Sequence, residues 1–249
     1  MRALIRWIAL VLVAAMALQI FFLARIALAA TIDPQSTSFQ RSEAWRIATG
    51  NKPLRWRQRW LPYDEISDHL KRAVIASEDG SFTNHDGVDW EAVEKAWQRN
   101  SHAEERAAQP KPRQTPASPA AAAGRPVKIV GGSTITQQLA KNLLLSGERT
   151  LLRKGQEFIL TFALEKMLSK ERILEIYLNS VEWGEGVFGA EAAAQHYYRK
   201  GADQLSAYEA ARLAVMLPRP KYFEKLANSG YLASRAATIV ARMRDAELP

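Results

Sequence analysis

The fold is organised around residues 75–87, which read IASEDGSFTNHDG. Upstream of this stretch, Ile66, Leu70 and Val74 recur every four residues, which predicts an amphipathic helix that runs into Glu78. Asp79 follows Glu78 directly, and a glycine-containing turn comes next. The sequence therefore predicts two adjacent carboxylates at the end of a helix.

This acid pair is a candidate for general acid–base chemistry. A carboxylate works as a general base when it is held near its target and its pKa is raised toward the working pH. Partial burial of Glu78 and the like charge of Asp79 would both raise the pKa of Glu78. Most Glu-Asp pairs are solvated surface residues, so the assignment depends on what the rest of the chain supplies.

A second helix is predicted after the turn, with Asp89 as its cap and Trp90, Val93 and Trp97 on its apolar face. Beyond this helix the sequence is rich in proline and alanine and has no periodic apolar face. We interpret residues 101–127 as a mobile or disordered insertion within one domain rather than as a boundary between two domains.

A helix with a polar face is predicted after the insertion. Two glycines at 131 and 132 permit a tight entry, and Ser133 is the predicted N-cap. Thr134, Gln138 and Lys141 then share one face of the helix. A solvated face is usually richer in Glu and Lys, so we favour a ligand-binding surface over that simpler interpretation.

The next predicted helix, from Thr150, carries an isolated glutamate in apolar surroundings. Glu157 lies one turn after Arg153 and could form a structural ion pair with it, or it could be a partly buried functional group. Cations suited to binding phosphate oxygens surround it in the sequence: Lys141, Arg149, Arg153 and Lys154.

The remaining sequence predicts further helices. Ser169 is a predicted helix start, Ser206 and Glu209 form a capping box, and a last amphipathic helix covers about residues 233–243. No run of alternating residues calls for a sheet. The soluble part is therefore predicted to be mainly α.

The N-terminus contains a candidate membrane segment. An apolar run from Trp7 to Ala24, interrupted only by Gln19, is long enough to span a bilayer if it continues past Arg25. Small residues at 27–29 also suit a signal-peptidase site, but the run exceeds the length of a usual signal core, so we favour a retained anchor. The expected organisation is a cytoplasmic N-terminus (1–6), a transmembrane anchor (7–29), a membrane-proximal connector (30–53) and one domain (54–249).

Arginine and tryptophan alternate near the start of that domain, around Trp56 and Trp60. This composition suits a lipid headgroup interface, and a surface strand packed on the domain explains it equally well.

Composition excludes several function classes. The 249 residues include no cysteine, which removes disulfides and thiolate metal sites. The four histidines lack metal-ligand spacing, so a zinc enzyme is not expected. No phosphate-binding loop, dinucleotide fingerprint or Ser-His-Asp order is present. The formal net charge of +8 indicates an anionic partner without identifying it.

Four ordered motifs carry a family resemblance: residues 78–87 (EDGSFTNHDG), 132–142 (GSTITQQLAKN), 153–157 (RKGQE) and 170–179 (KERILEIYLN). Together they resemble the peptidoglycan glycosyltransferases of glycosyltransferase family 51, over about residues 54–245. The chain lacks the Ser-x-x-Lys and Lys-Thr-Gly motifs of penicillin-binding proteins, so it resembles the monofunctional transglycosylases of that family. The resemblance implies a lysozyme-like, two-lobed helical domain whose cleft faces the membrane.

The resemblance also implies a reaction. The expected substrate is lipid II, whose 4-hydroxyl attacks the lipid-pyrophosphate-linked glycan to give a β-1,4 bond with inversion and undecaprenyl diphosphate. Glu78 would be the general base and Glu157 the second essential carboxylate. Asp79, Phe82 and His85 would shape the site. Substrate contacts would come from Thr134, Gln138, Lys141, Arg149, Arg153 and Lys154.

Other expectations follow from this resemblance. The domain would lie on the periplasmic side of the inner membrane, with lipid-linked glycans, the bilayer and other cell-wall or division proteins as partners, and with no nucleic acid. No dedicated metal cage is evident, so use of Mg or Mn at the pyrophosphate stays open. Two alternatives remain: a lytic enzyme that cleaves glycan strands with one glutamate, and a non-enzymatic glycan-binding scaffold.

Overall fold

The computed structural model describes residues 2–50, 55–108, 132–145, 147–148 and 150–249. Within these ranges the helices are α1 (Arg2–Ala29), α2 (Ser38–Ala48), α3 (Asp68–Glu78), α4 (Trp90–Ala108), α5 (Ile135–Leu144), α6 (Leu151–Met167), α7 (Lys170–Ser180), α8 (Ala190–Tyr198), α9 (Ala207–Met216), α10 (Pro220–Glu224) and α11 (Gly230–Arg242). The mainly α prediction is confirmed. Of the predicted insertion, residues 101–108 continue α4, and residues 109–127 lie outside the described residues.

A small sheet is present that the sequence did not predict. It consists of β1 (Arg57–Gln58), β2 (Glu182–Gly184) and β3 (Val187–Phe188) in the order β1-β3-β2. β3 pairs in parallel with β1 and antiparallel with β2. Strands of two or three residues are too short to give a period-two pattern, which explains why they were missed.

The turn between β2 and β3 needs glycine at position 186. Gly186 has a φ of +71°, and a Cβ there would lie 1.9 Å from the carbonyl oxygen of Arg55. Next to it, Trp56 stacks on Phe188 with ring centroids 4.4 Å apart. Trp56 is therefore packed on the domain beside β1, which agrees with the packed-strand interpretation of the Arg/Trp-rich segment.

Several helix starts agree with their predicted caps, and one does not. Ser169, Ser206 and Thr150 each accept a hydrogen bond from a backbone N–H in the first turn of their helix. The Ser133 prediction was wrong, because Thr134 is the N-cap of α5 and forms a reciprocal capping box with Gln137.

The core positions the two helices that carry the acid pair and the polar face. α3 buries Leu70 and Val74 completely and packs on α9 and α11. α5 buries Ile135 and Leu139 and packs on α6 and α7. The C-terminal end of α3 is thereby fixed to a rigid helical scaffold.

The chain forms two compact units, one made of Met1–Val88 with Thr134–Pro249 and the other of Asp89–Ser133. In the second unit, Asp89 caps α4 as predicted, because its Oδ1 accepts the N–H of Ala92 at 2.7 Å. Glu91 and Lys95 form the expected ion pair one turn apart. All of the site residues discussed below lie in the first unit.

Among the described residues, α1 is the one helix that is long and apolar enough to cross a membrane. It covers 28 residues and includes the segment that the sequence predicts as an anchor. A signal sequence would have the same properties, so length and composition alone make α1 a candidate anchor.

Candidate active site

The structure places Glu78 at the end of α3 and gives its carboxylate one strong partner. Gln138 on α5 donates from its Nε2 to Oε2 of Glu78 at 2.9 Å. The Oε1 of Gln138 accepts the hydroxyl of Tyr177 at 3.0 Å. Because Tyr177 fixes the orientation of the Gln138 amide, the amide presents its NH₂ group to Glu78. The other oxygen of Glu78 has a weaker contact, 3.5 Å from the Ser77 hydroxyl.

The surroundings of Glu78 prepare it to accept a proton. Burial raises the pKa of its carboxyl group, and the charge of Asp79 raises it further. The hydrogen bonds from Gln138 and Ser77 and the charge of Lys141 act in the opposite direction, but the net shift is upward. Glu78 is only partly buried, so a substrate hydroxyl can reach it.

Asp79 has a different role from its neighbour. Its Oδ1 lies 2.8 Å from Nε2 of His85, and its Oδ2 accepts the backbone N–H of Ile135 at 3.0 Å. The Nδ1 of His85 accepts the N–H of Gly87, which requires the neutral tautomer with the proton on Nε2. Asp79 therefore ties the turn after α3 to the first turn of α5.

A second set of contacts, made by Lys170 of α7, holds the same turn. Phe82 is fully buried, and the ammonium of Lys170 lies 4.6 Å from its ring centroid. Lys170 also donates to the carbonyl of His85 and to Glu165, which accepts the hydroxyl of Thr136. Phe82 and His85 are therefore both held in place in the turn after α3.

Thr134 was predicted to contact substrate, and the structure gives it a supporting role. It is 2% exposed, its hydroxyl donates to the carbonyl of Gly87 at 2.6 Å, and the same oxygen caps α5. Gly87 has a φ of +87° and packs so closely that a Cβ would lie 2.7 Å from Thr161. This geometry assigns Thr134 to positioning α5, because none of its polar capacity faces outward.

Glu157 forms the centre of a cation cluster on α6. Its carboxylate is 4% exposed and binds Arg153 at 2.9 Å through Oε2 and Lys154 through Oε1. The hydroxyl of Thr161, one turn further along α6, donates a hydrogen bond to the backbone carbonyl of Glu157. The structure therefore contains the buried ion pair that was one interpretation of Glu157. The same carboxylate also orders the two cations, Arg153 and Lys154.

The helix that orients Glu78 lies against the helix that carries Glu157. α5, which carries Gln138 and Lys141, packs directly on α6, which carries Glu157. Lys141 is exposed on α5, one turn beyond Gln138. Arg149, also predicted to bind substrate, lies outside the described residues.

Sequence reasoning missed three groups that complete the site. Tyr177 is buried, and burial together with Glu78 and Asp79 holds the pKa of its hydroxyl well above the usual value, so it stays a donor. Lys170 and Glu165 clamp the turn. Tyr177 and Lys170 fall within the quoted motif at residues 170–179, but nothing in local spacing connects them to Glu78.

Glu78 is a partly buried carboxylate with a raised pKa, and α6 carries an ordered cation cluster. Such groups are typical of an enzyme site for acid–base chemistry. The comparisons with known proteins agree with that class. A family model described as Transglycosylase matches residues 48–109 and 117–244. The chain therefore belongs to the transglycosylase family, which confirms the family that the motifs predicted and makes the chain a glycosyltransferase.

Three similar proteins share the name biosynthetic peptidoglycan transglycosylase. The protein from Burkholderia thailandensis is 53% identical over 234 residues, which cover 94% of this chain and 83% of the relative. That from Burkholderia pseudomallei is 50% identical over 252 residues, covering 100% and 90%. That from Paraburkholderia xenovorans is 49% identical over 249 residues, covering 98% and 95%.

Proposed function

We propose that this chain polymerises the glycan strands of peptidoglycan. It transfers the lipid-pyrophosphate-linked growing glycan onto the 4-hydroxyl of lipid II, forms a β-1,4 bond with inversion and releases undecaprenyl diphosphate. The observation that carries the proposal is the Glu78 carboxylate, whose pKa is raised and which is held by Gln138 at 2.9 Å. The names of the relatives, which specify peptidoglycan transglycosylase, support the same substrate class.

Glu78 acts as the general base in this mechanism. The acceptor hydroxyl approaches the carboxylate, which takes the proton as the oxygen attacks the anomeric carbon of the donor. Gln138 restricts the rotation of the carboxylate and leaves the more weakly bound Oε1 as the proton acceptor. A base on one face of the sugar and a leaving group on the other gives inversion.

The leaving pyrophosphate is stabilised by the cations of α5 and α6. Negative charge develops on its oxygens as the glycosidic bond breaks, and preorganised cations lower the energy of that state. Glu157 orders Arg153 and Lys154, and the buried Nε of Arg153 has no hydrogen-bond partner within the described part of the chain. Arg153, Lys154, Lys141 and Arg149 are proposed to supply the positive charge that binds the pyrophosphate oxygens.

A divalent cation at the pyrophosphate, Mg or Mn, would be held mainly by the phosphate oxygens of the substrate. The described ranges contain no group of three or more His, Asp or Glu side chains with the geometry of a metal site. Both oxygens of Glu157 are bound by cations.

The proposed location follows from the substrate. Lipid II is delivered by a bilayer, and α1 has the length of a retained single-pass anchor. Arg2 and Arg6 precede the apolar run, which suits a cytoplasmic N-terminus with the domain on the periplasmic side of the inner membrane. Other cell-wall synthesis or division proteins are proposed as partners.

The test is a polymerisation assay with the full-length chain in detergent or vesicles and purified lipid II. Native protein should give glycan strands that are resolved by gel electrophoresis. Glu78→Gln keeps the size of the side chain and an oxygen that can accept from Gln138 but removes the base, so we expect kcat to fall by roughly 10²- to 10⁴-fold.

The matched control is Glu65→Gln, the same change at an exposed glutamate in the turn before α3, and it should keep native activity. Near-native polymer formation by Glu78→Gln would overturn the mechanism. Release of fragments from preformed strands, without polymerisation, would favour the lytic alternative. Strand binding without either reaction would favour the scaffold alternative.

A further inference from the structure

The apolar helix α1 is docked on the domain along one stripe of its second half. Residues 2–18 are exposed throughout, whereas Gln19 is partly buried and Phe22, Ile26 and Ala29 are buried. These four positions are spaced three, four and three residues apart, which places them on one face of the helix. The contact is therefore a helix-packing interface and not an incidental touch at the end of α1.

At the first position of this stripe, two glutamines form a reciprocal pair. The Nε2 of Gln19 donates to Oε1 of Gln156 at 2.8 Å, and the Nε2 of Gln156 donates back to Oε1 of Gln19 at 2.9 Å. The partners are 137 residues apart in sequence. Each amide thereby satisfies one donor and one acceptor that an apolar environment would leave without a partner.

The length of the exposed segment indicates how deep this pair lies. Residues 7–18, the exposed part of the predicted anchor, span about 18 Å, which is less than the ~30 Å of a hydrocarbon core. If α1 crosses a bilayer, Gln19 and the first docked turn must therefore lie within the outer part of that core. The helix that carries Gln156 also exposes four large apolar side chains: Leu151, Leu152, Ile159 and Phe162.

The other end of the docked stripe is fastened by Arg172 of α7. Its Nε donates to the carbonyl oxygen of Ala29 at 2.8 Å, and its Nη2 binds Asp33 at 2.8 Å. A cation at the C-terminal end of a helix satisfies free carbonyl groups and interacts favourably with the helix dipole. α1 is thus attached at two heights, to α6 through Gln156 and to α7 through Arg172.

Gln156 directly precedes Glu157, the centre of the cation cluster. We propose that the Gln19–Gln156 pair makes the anchor helix a positioning part of the pyrophosphate site: it holds α6, with Glu157, Arg153 and Lys154, at a fixed depth in the bilayer. This proposal rests on the proposed function, because only a lipid-linked donor presents its pyrophosphate at a height that the bilayer sets. Gln19 and Gln156 are positioning residues, since neither needs to touch the substrate.

The docked arrangement can be tested separately from activity, because the chain contains no cysteine. Gln19→Cys and Gln156→Cys are combined in the full-length chain in lipid vesicles and treated with a short bifunctional thiol reagent. Two glutamine side chains bridge the gap, so a linker is used in place of a direct disulfide. We expect rapid intramolecular cross-linking, measured by mass spectrometry of the linked peptides.

The control pair is Leu18→Cys with Gln156→Cys, because Leu18 is exposed on the lipid-facing side of α1. Equal cross-linking of the two pairs would overturn the docked geometry, whatever the enzyme activity. Cross-linking is measured without the polymerisation assay, so a failure to cross-link is distinguishable from a failure of the proposed function.

The positioning role is tested by Gln19→Leu in vesicles. Loss of the pair should raise the KM for lipid-linked substrate by about three- to tenfold, the range for interhelical polar contacts in membranes, while kcat changes by less than about twofold. Gln156→Leu should give the same shift, and the double variant no more than either single one, because both remove one contact.

Leu18→Ala, on the exposed face, should leave KM at the native value. An unchanged KM in Gln19→Leu would overturn the positioning role even if the cross-link forms. A fall in kcat without a change in KM would overturn it as well, because that pattern means that the chemical step, and not the presentation of the donor, depends on the pair.

Discussion

Replacing Asp79 with Asn changes one oxygen of a buried carboxylate into an NH₂ group. In the native protein both oxygens accept hydrogen bonds, one from Nε2–H of His85 and one from the N–H of Ile135. Asn offers one acceptor oxygen, so one of the two N–H donors must face an NH₂ group. His85 cannot switch tautomers without losing the hydrogen bond that Gly87 donates to its Nδ1.

The expected loss of stability follows from this count of hydrogen bonds. One hydrogen bond to a charged group is lost, a second becomes neutral, and one donor, on His85 or Ile135, remains unsatisfied beside a side chain position that is buried, since Asp79 is 6% exposed. We expect the free energy of unfolding to fall by about 3 kcal/mol. For a chain of this size, that corresponds to a Tm lower by ~6–12 °C.

The assay is thermal unfolding of the full-length protein in detergent, followed by circular dichroism. Asp86→Asn is the matched control, because it is the same chemical change in the same turn at an exposed residue, and it should leave the Tm within about 2 °C of native. A Tm of Asp79→Asn that is equally close to native would refute the role of Asp79 as a clamp.

The same variant should also alter the pH dependence of polymerisation. The charge of Asp79 raises the pKa of Glu78, so its removal lowers that pKa. With Glu78 as the base, activity appears as Glu78 loses its proton, and the acid limb of the kcat/KM profile should move to lower pH. A limb that moves to higher pH would contradict the electrostatic argument.

Two further changes test the packing around the site and a buried carboxylate outside it. Gly87→Ala should lower the free energy of unfolding by about 3 kcal/mol, because Gly87 has a φ of +87° and the new Cβ would overlap Thr161. The control is Gly80→Ala, which has open space around it and should be near neutral in the same thermal unfolding experiments. Equal Tm values for the two variants would contradict the packing argument. Burial raises the pKa of Glu182 to about 7, so the native fold loses stability as the pH rises from the ordinary glutamate pKa through 7. Glu182→Gln should remove up to roughly 3 kcal/mol of this loss of stability, so the Tm of the variant should fall less than the native Tm between pH 5 and pH 8. Tm values of the two proteins that change in parallel with pH would refute this prediction.

The helices that carry the site were predictable because their signals are local. The recurrence of Ile66, Leu70 and Val74 predicted α3, and the capping box of Ser206 and Glu209 predicted the start of α9. The acid pair, Gln138 and the cations of α6 were found because motif order and residue type point to them. The assignment of Ser133 as a cap failed because Ser and Thr are adjacent there and both are good caps, and only the partner Gln137 distinguishes them.

What the sequence could not provide were the contacts between distant segments. The hydroxyl of Tyr177 reaches Gln138 across 39 residues, and the amide of Gln19 reaches Gln156 across 137. No periodicity or spacing rule encodes such pairs, because they depend on how helices pack. Each of these residues has an ordinary local explanation, Tyr177 as a core aromatic and Gln19 as a break in an apolar run.

The helix end explains why two adjacent acids take different roles. Glu78 is the last residue of α3, and Asp79 adopts a φ of −161°, which turns its side chain away from the helix direction. Glu78 then meets Gln138, whereas Asp79 binds the first N–H of α5, the helix that carries Gln138. The two acids are therefore linked twice, once through the peptide bond and once through α5. Replacing Asp79 is therefore expected to disturb both Glu78 and the amide that orients it.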